Sequence, residues 1–188
     1  MSIRERRERE RQDRERLIVR AAREFAEAEG WDAVTTRRLA EQIEYSQPVL
    51  YSHFKGKDAI MAAVALEGFA ELAAALREAR AGSSGGPAAV AAAYVRFAEE
   101  QPVLYETMFT GAVDLTFASP ETPAPLREGF RELREALRPV IGSDDLDAET
   151  EVFWASLHGL VTLTRGGRLP RDGHPRRLEL LLRRFSTT

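Results

Sequence analysis

The stretch from Thr35 to Lys57, TTRRLAEQIEYSQPVLYSHFKGK, constrains the fold more than any other part of the chain. Two short helical patterns are crowded into it. In the first, Leu39, Ala40 and Ile43 recur at i, i+1 and i+4, and Thr35 or Thr36 can accept a hydrogen bond from a free backbone N–H and start the helix. In the second, Leu50 and Phe54 stand at i and i+4, and Ser46 can cap the start. Pro48 is tolerated in that first turn, where its missing N–H has no intrahelical partner. Only Glu44 to Ser46 separate the two, so the connection must be a tight turn. A short helix behind such a turn has one side that holds the fold and one that is free for a partner, which is the logic of a helix-turn-helix. Glu44 stands where the turn would most comfortably use glycine, because left-handed backbone costs other residues about 1 kcal/mol.

The side not claimed by Leu50 and Phe54 offers Gln47, Pro48, Val49, Tyr51, Ser52 and His53. Amide and imidazole groups can hydrogen-bond base edges in a major groove, and Pro48 and Val49 can meet a thymine methyl. Tyr51 can reach a phosphate. Thr36, Arg37, Lys55 and Lys57 flank this face with hydroxyl and positive groups suited to holding a nucleic-acid backbone. The plain alternative is a polar surface helix with no partner.

Net charge does not announce a nucleic-acid binder. It is −3 over 188 residues, so local charge has to decide. Between Ala33 and Lys57, four basic residues face two acidic ones, and both lysines of the chain, Lys55 and Lys57, fall here. Without cysteine there can be no disulfide, thiolate metal site or cysteine nucleophile. No unbroken run of about 18 apolar residues occurs, so no membrane span is expected, and the Arg/Glu-rich start lacks the apolar core of a secretory signal.

Helical periodicity continues on both sides. Ile18, Ala22 and Phe25 form a stripe ended by Gly30, and a long helix is predicted over about 57–80. GSSGGP at 82–87 reads as a linker. Further helices are predicted at about 88–100, 102–110, 123–139, 146–165 and 174–185. With no strand alternation, the fold class is all-α. Three regions are expected: a flexible Arg/Glu-rich arm over 1–13, a helix-turn-helix domain over 14–60 and a larger helical domain over 61–188. The arm is ordinarily solvated, with DNA backbone as its functional alternative.

Residues 25–60, FAEAEGWDAVTTRRLAEQIEYSQPVLYSHFKGKDAI, resemble the DNA-binding domain of the TetR family of transcriptional repressors. The shared pattern is Gly30, Thr35-Thr36, Leu39-Ala40, Ser46, Leu50-Tyr51-x-His53-Phe54 and Lys57, with Glu44 departing from it. The resemblance implies that Gln47, Pro48, Val49, Tyr51 and His53 enter the major groove. It places Thr36 and Arg37 near backbone or neighbouring base edges and Lys57 on a phosphate, with Lys55 a weaker backbone candidate. EQPVLYETMF and VFWASLHGLVTL resemble a C-terminal subgroup of the family marked by Trp154-x-x-x-His158-Gly159.

Trp154 and His158 share a helix face at i, i+4. They can border an effector pocket or support a dimer contact; the plain reading is a core tryptophan and a satisfied histidine. Tyr94, Phe97, Tyr105, Met108, Phe109, Phe117 and Phe130 make the middle of the chain aromatic-rich and can line a cavity, though each alone fits core packing as well. Phe97, Tyr105, Met108, Phe109, Phe130, Trp154 and His158 are the ligand candidates. Gly129 inside a helical pattern hints at close packing.

His53, His158 and His174 show no metal-ligand spacing, and neither a phosphate-cradling loop nor a nucleophile elbow is present. No enzyme, metal or cofactor is therefore expected. The resemblance implies a cytoplasmic, ligand-responsive repressor. It would bind a palindromic double-stranded operator as a homodimer through the last two helices and be released by a small-molecule effector. The alternative is an all-α ligand-binding or interaction protein without DNA binding.

Overall fold

The computed structural model describes residues 2–83, 85–109, 113, 115–117, 119–142 and 144–185. Among them lie nine α-helices and no strand: α1 Ile3–Glu29, α2 Thr36–Gln42, α3 Gln47–His53, α4 Lys57–Ala81, α5 Pro87–Glu100, α6 Pro102–Phe109, α7 Ala124–Ile141, α8 Leu146–Arg165 and α9 His174–Arg184. A 3-10 turn, Trp31–Ala33, sits between α1 and α2. Expected position 110 of α6, position 84 of the linker and position 1 of the arm lie outside the described residues.

The chain forms two compact units, and the boundary differs from the expected one at residue 60. The first comprises Met1–Gly68 and Pro102–Thr116; the second comprises Phe69–Gln101 and Phe117–Thr188. The boundary falls inside α4, so that helix belongs to both. α6 belongs with the N-terminal unit. The structural reason is a close approach in which a Cβ on Gly68 would stand 2.8 Å from Met108 Sδ and 3.0 Å from Leu104 Cδ1. Trp31 adds a tie, its indole N–H donating to Thr107 Oγ1 at 2.6 Å.

The arm also differs from its expectation: it is helical. Ser2 caps α1 in a capping box with Glu5, which satisfies two otherwise orphaned N–H groups. Arg6–Glu10 and Arg11–Glu15 then pair one turn apart. Each such pair contributes only a few tenths of a kcal/mol, but the extension propagates from a helix already nucleated by packing. Ile18, Val19, Ala21, Ala22 and Ala26 supply that packing.

α4 contains an 18-residue window of mean hydropathy 1.8, long and apolar enough by composition to cross a membrane, and half of the window is buried in the protein. The expectation from unbroken apolar runs missed it, because Glu67 and Glu71 interrupt the run while Ile60, Val64, Ala65, Leu72, Ala73 and Leu76 are buried as core. In the second unit, Glu132 of α7 is buried and receives Arg80 at 2.8 Å and Arg77 at 3.4 Å. These pairs fix α7 along α4.

Candidate DNA-reading surface and effector cavity

Thr35 is the residue that starts α2; its hydroxyl accepts the Arg38 N–H at 3.2 Å. At the far end, Tyr45 N–H reaches the Ala40 carbonyl at 2.9 Å and Glu44 N–H reaches Glu41 at 3.3 Å. These are the two hydrogen bonds of a Schellman motif, which requires left-handed backbone at its penultimate position. Glu44 occupies that position with φ 56°. The turn therefore keeps the glycine geometry with a glutamate in it. Ser46 stands at the start of α3, but its side chain makes no capping bond; its carbonyl accepts the Val49 and Leu50 N–H groups instead.

α3 buries Leu50 completely and leaves Gln47, Pro48, Val49, Tyr51 and Ser52 exposed. The Tyr51 hydroxyl lies 3.2 Å from Thr36 Oγ1, which joins the exposed face of α3 to the start of α2. Arg37 and Lys55 are exposed beside it. Arg37 pairs with Glu41 on its own helix at 2.9 Å, and that bond raises its pKa.

His53 is not on the open face. Its side chain is 6% exposed, and Nδ1 lies 3.3 Å from Glu15 of α1. Helical periodicity carried this signal: His53 is three residues from buried Leu50 and shares its side. Burial pushes the Glu15 carboxyl up, but hydrogen bonds from Arg11 and His53 outweigh it and hold the group below the ordinary carboxylate value. Lys57 is half-buried at the start of α4 and donates to the Trp31 carbonyl.

Arg38 holds this unit together. It donates to both Glu29 oxygens, at 2.7 and 2.9 Å, and to the Ala33 carbonyl at 3.1 Å, and it lies 4.7 Å over the Phe25 ring. Neither Arg38 nor Trp31 stands out in the sequence, because their partners are nine and 76 residues away.

The second unit holds a partly open cavity of about 810 Å³, within the range typical of small-molecule sites. Phe69, Leu72 and Leu76 of α4, Tyr94, Phe117, Phe130, Leu133 and Trp154 form its apolar wall, while Arg127, Glu151, Ser119 and Thr122 add polar groups. Phe117 meets Phe69 edge-on at 5.9 Å and stacks on Trp154 at 6.2 Å. Of the ligand candidates from sequence, Phe130 and Trp154 line it. Phe97 is buried core elsewhere on α5, and Tyr105, Met108 and Phe109 belong to α6 in the other unit. His158 is outside the lining, near Thr162 Oγ1 at 3.4 Å, and burial lowers its pKa. Among the described residues, no group of three or more acidic or histidine side chains is placed to hold a metal.

Residues 18–64 match the model of the bacterial regulatory proteins of the tetR family, and residues 87–185, more than half of the chain, match the tetracyclin repressor-like C-terminal domain. The chain belongs to the tetR family. It is 32% identical over 160 residues to Rv0681, an uncharacterized HTH-type transcriptional regulator of Mycobacterium tuberculosis, covering 80% of this chain and 69% of that one. The tetracycline repressor protein class C of Escherichia coli is 46% identical over 48 residues, 26% of this chain and 22% of that protein. A crystal structure of a tetR-family regulatory protein from Rhodococcus RHA1 superposes with a TM-score of 0.64 at 21% identity, covering 93% and 97% of the two chains. As a tetR-family member the chain is a ligand-responsive, DNA-binding transcriptional regulator rather than an enzyme or a DNA-free interaction protein.

Proposed function

We propose that the chain is a cytoplasmic homodimeric repressor whose α3 reads a palindromic operator. The observation that carries this reading is the face of α3 itself. Gln47, Pro48, Val49 and Tyr51 are solvent-exposed on one short helix, while Leu50 and His53 anchor its other side. Gln47 offers the amide that pairs with a base edge, and Pro48 and Val49 offer apolar contact to a thymine methyl. Thr36, Tyr51, Arg37 and Lys55 hold the phosphates. Lys57 helps from the start of α4, where the helix dipole also favours an anion. His53 acts through position: held by Glu15, it sets the angle of α3 against α1.

The dimer uses α8 and α9. Val152 is 55% exposed, Leu163 40% and Leu180 45%, although all three are large and apolar. No atom lies within 4 Å of a Cβ on Gly159, which leaves room for a partner backbone. A two-fold dimer places its two recognition helices about 34–36 Å apart. An apolar small molecule in the cavity presses on Phe69, Leu72 and Leu76 of α4. That same helix begins directly after α3, so its displacement alters half-site spacing. Release requires tighter ligand binding to the DNA-free state, with coupling of roughly 1–3 kcal/mol.

The test is binding to duplexes selected by the full-length protein from a randomised DNA library. Gln47→Ala should cost roughly 1–3 kcal/mol at one base position and relax preference there. Lys55→Ala should weaken all sequences alike and lower the salt slope by about 0.9 per phosphate contact. Failure of the wild type to enrich any sequence would refute the reading.

A further inference from the structure

The N-terminal half of α1 is a solvent-exposed helix with no packing role, and its arginines are not randomly placed. Every described residue before Glu15 is exposed. At 3.6 residues per turn, Arg4, Arg7 and Arg11 fall on one stripe with Glu15, Ile18 and Ala22. Ile18 and Ala22 are fully buried, and Glu15 touches His53 at the last turn of α3. The stripe that faces the domain body over residues 15–22 therefore continues as an arginine edge over residues 4–11. Arg11 pairs with Glu15 at 3.0 Å, whereas Arg4 and Arg7 have no carboxylate partner among the described residues. Arg6 and Arg16, on the opposite side, are paired with Glu10 and Asp13.

At 1.5 Å per residue, Arg11 to Arg4 lie roughly 6–16 Å along α1 beyond the Glu15–His53 contact. A helix in a major groove about 12 Å wide has backbone phosphates on either side at a comparable distance. We propose that this helical extension is a second DNA contact, in which Arg4 and Arg7 hold phosphates flanking the half-site read by α3. The inference rests on the proposed operator binding. DNA backbone is the occupant that fits: two unpaired guanidiniums on a hydrophilic edge match a row of anions, and the edge adjoins the reading helix. Of the neighbouring glutamates, Glu10 pairs with Arg6 and Arg14, Glu5 closes the capping box with Ser2, and Glu8 accepts from Gln12. The contact carries no base information, so it strengthens binding without narrowing the sequence read.

The experiment uses the full-length protein and its library-selected duplex, with and without flanking base pairs outside the half-sites. Arg4→Gln/Arg7→Gln keeps residues of good helix propensity. In a dimer it removes four phosphate contacts, so the slope of log affinity against log salt should fall in magnitude by about 3.6. Trimming the flanks should weaken the wild type and leave this variant unchanged. Arg4→Lys/Arg7→Lys should retain most of the slope, and Arg6→Gln/Arg16→Gln on the opposite side should retain all of it. An unchanged slope in Arg4→Gln/Arg7→Gln, or equal losses from both double Gln variants, overturns the inference while leaving operator reading by α3 intact. No sequence-specific binding by the wild type overturns both.

Discussion

Glu44 shows how one residue can depart from a pattern without breaking it. Its φ of 56° puts a glutamate where the Schellman hydrogen bonds demand left-handed backbone. Relief of that strain by Glu44→Gly is worth roughly 1–2 kcal/mol, offset by roughly 0.4–1 kcal/mol from the freer unfolded chain. The net gain, up to about 1.6 kcal/mol, should raise the midpoint of thermal unfolding by up to about 6 °C. A lowered midpoint would mean that the Glu44 side chain has a stabilising role outweighing the strain. The position was legible in the sequence because only backbone geometry was at issue. Residue contacts were legible less evenly. Leu39, Ala40 and Leu50 are buried as their spacing demands. His53 was assigned by residue type to the groove, although its spacing from Leu50 placed it inward.

At the level of elements, some helix ends are readable where a glycine or hydroxyl marks them: Gly30 ends α1 and Thr35, one of two candidate threonines, starts α2, while Pro87, read as the end of the linker, is the first residue of α5. What joins the elements was not readable, because it depends on pairs distant in the chain. Arg38 links α2 to the end of α1 through both oxygens of Glu29. That hydrogen bond holds the Glu29 carboxyl below its ordinary value of 4.5. A depressed carboxylate contributes stability that is present above its unfolded pKa and lost as pH falls through its folded one. The wild type should therefore unfold at a higher temperature than Glu29→Gln at pH 7, and the difference should shrink on acidification below about pH 4.5. A difference that stays constant to pH 3 would exclude the ion pair as its source. Arg38→Lys should not preserve the link, since an ammonium cannot present the same two-pronged geometry. α7 offers a second element-level test. Gly129 was expected to mark close packing, yet a Cβ there would meet only Ala73 Cβ, at an ordinary 4.0 Å. Gly129→Ala should then stabilise the fold by about 1 kcal/mol through helix propensity. Since Gly129 lines the cavity, the gain would come with a smaller cavity. A destabilised Gly129→Ala would reinstate the packing constraint.

For the whole molecule, the legible part is the N-terminal unit, whose function fixes short-range spacing, and the illegible part is the cavity. Its wall gathers side chains from α4, α5, α7, α8 and the segment around Phe117. Each helix lends only a stripe, such as Phe69, Leu72 and Leu76, that reads as ordinary core in sequence, so the sequence points to Tyr105 and Met108 and passes over Phe69 and Leu133. The face left open on α8 follows a different rule. Val152, Gly159 and Leu163 recur at i, i+7 and i+11 on one side, while Phe153, Leu157 and Val161 are buried on another. A helix apolar on two sides has a second surface to cover, and the proposed dimer covers it. Val152→Arg places a charge in that contact while leaving the protomer core untouched. The variant should keep the helical circular dichroism of the wild type and elute as a monomer at concentrations where the wild type is dimeric. Its affinity for a full palindrome should fall to that for an isolated half-site, because two linked recognition helices gain from effective concentration and a single one does not. If Val152→Arg remains dimeric and binds the palindrome as tightly as the wild type, the two-fold contact lies elsewhere than on this face of α8.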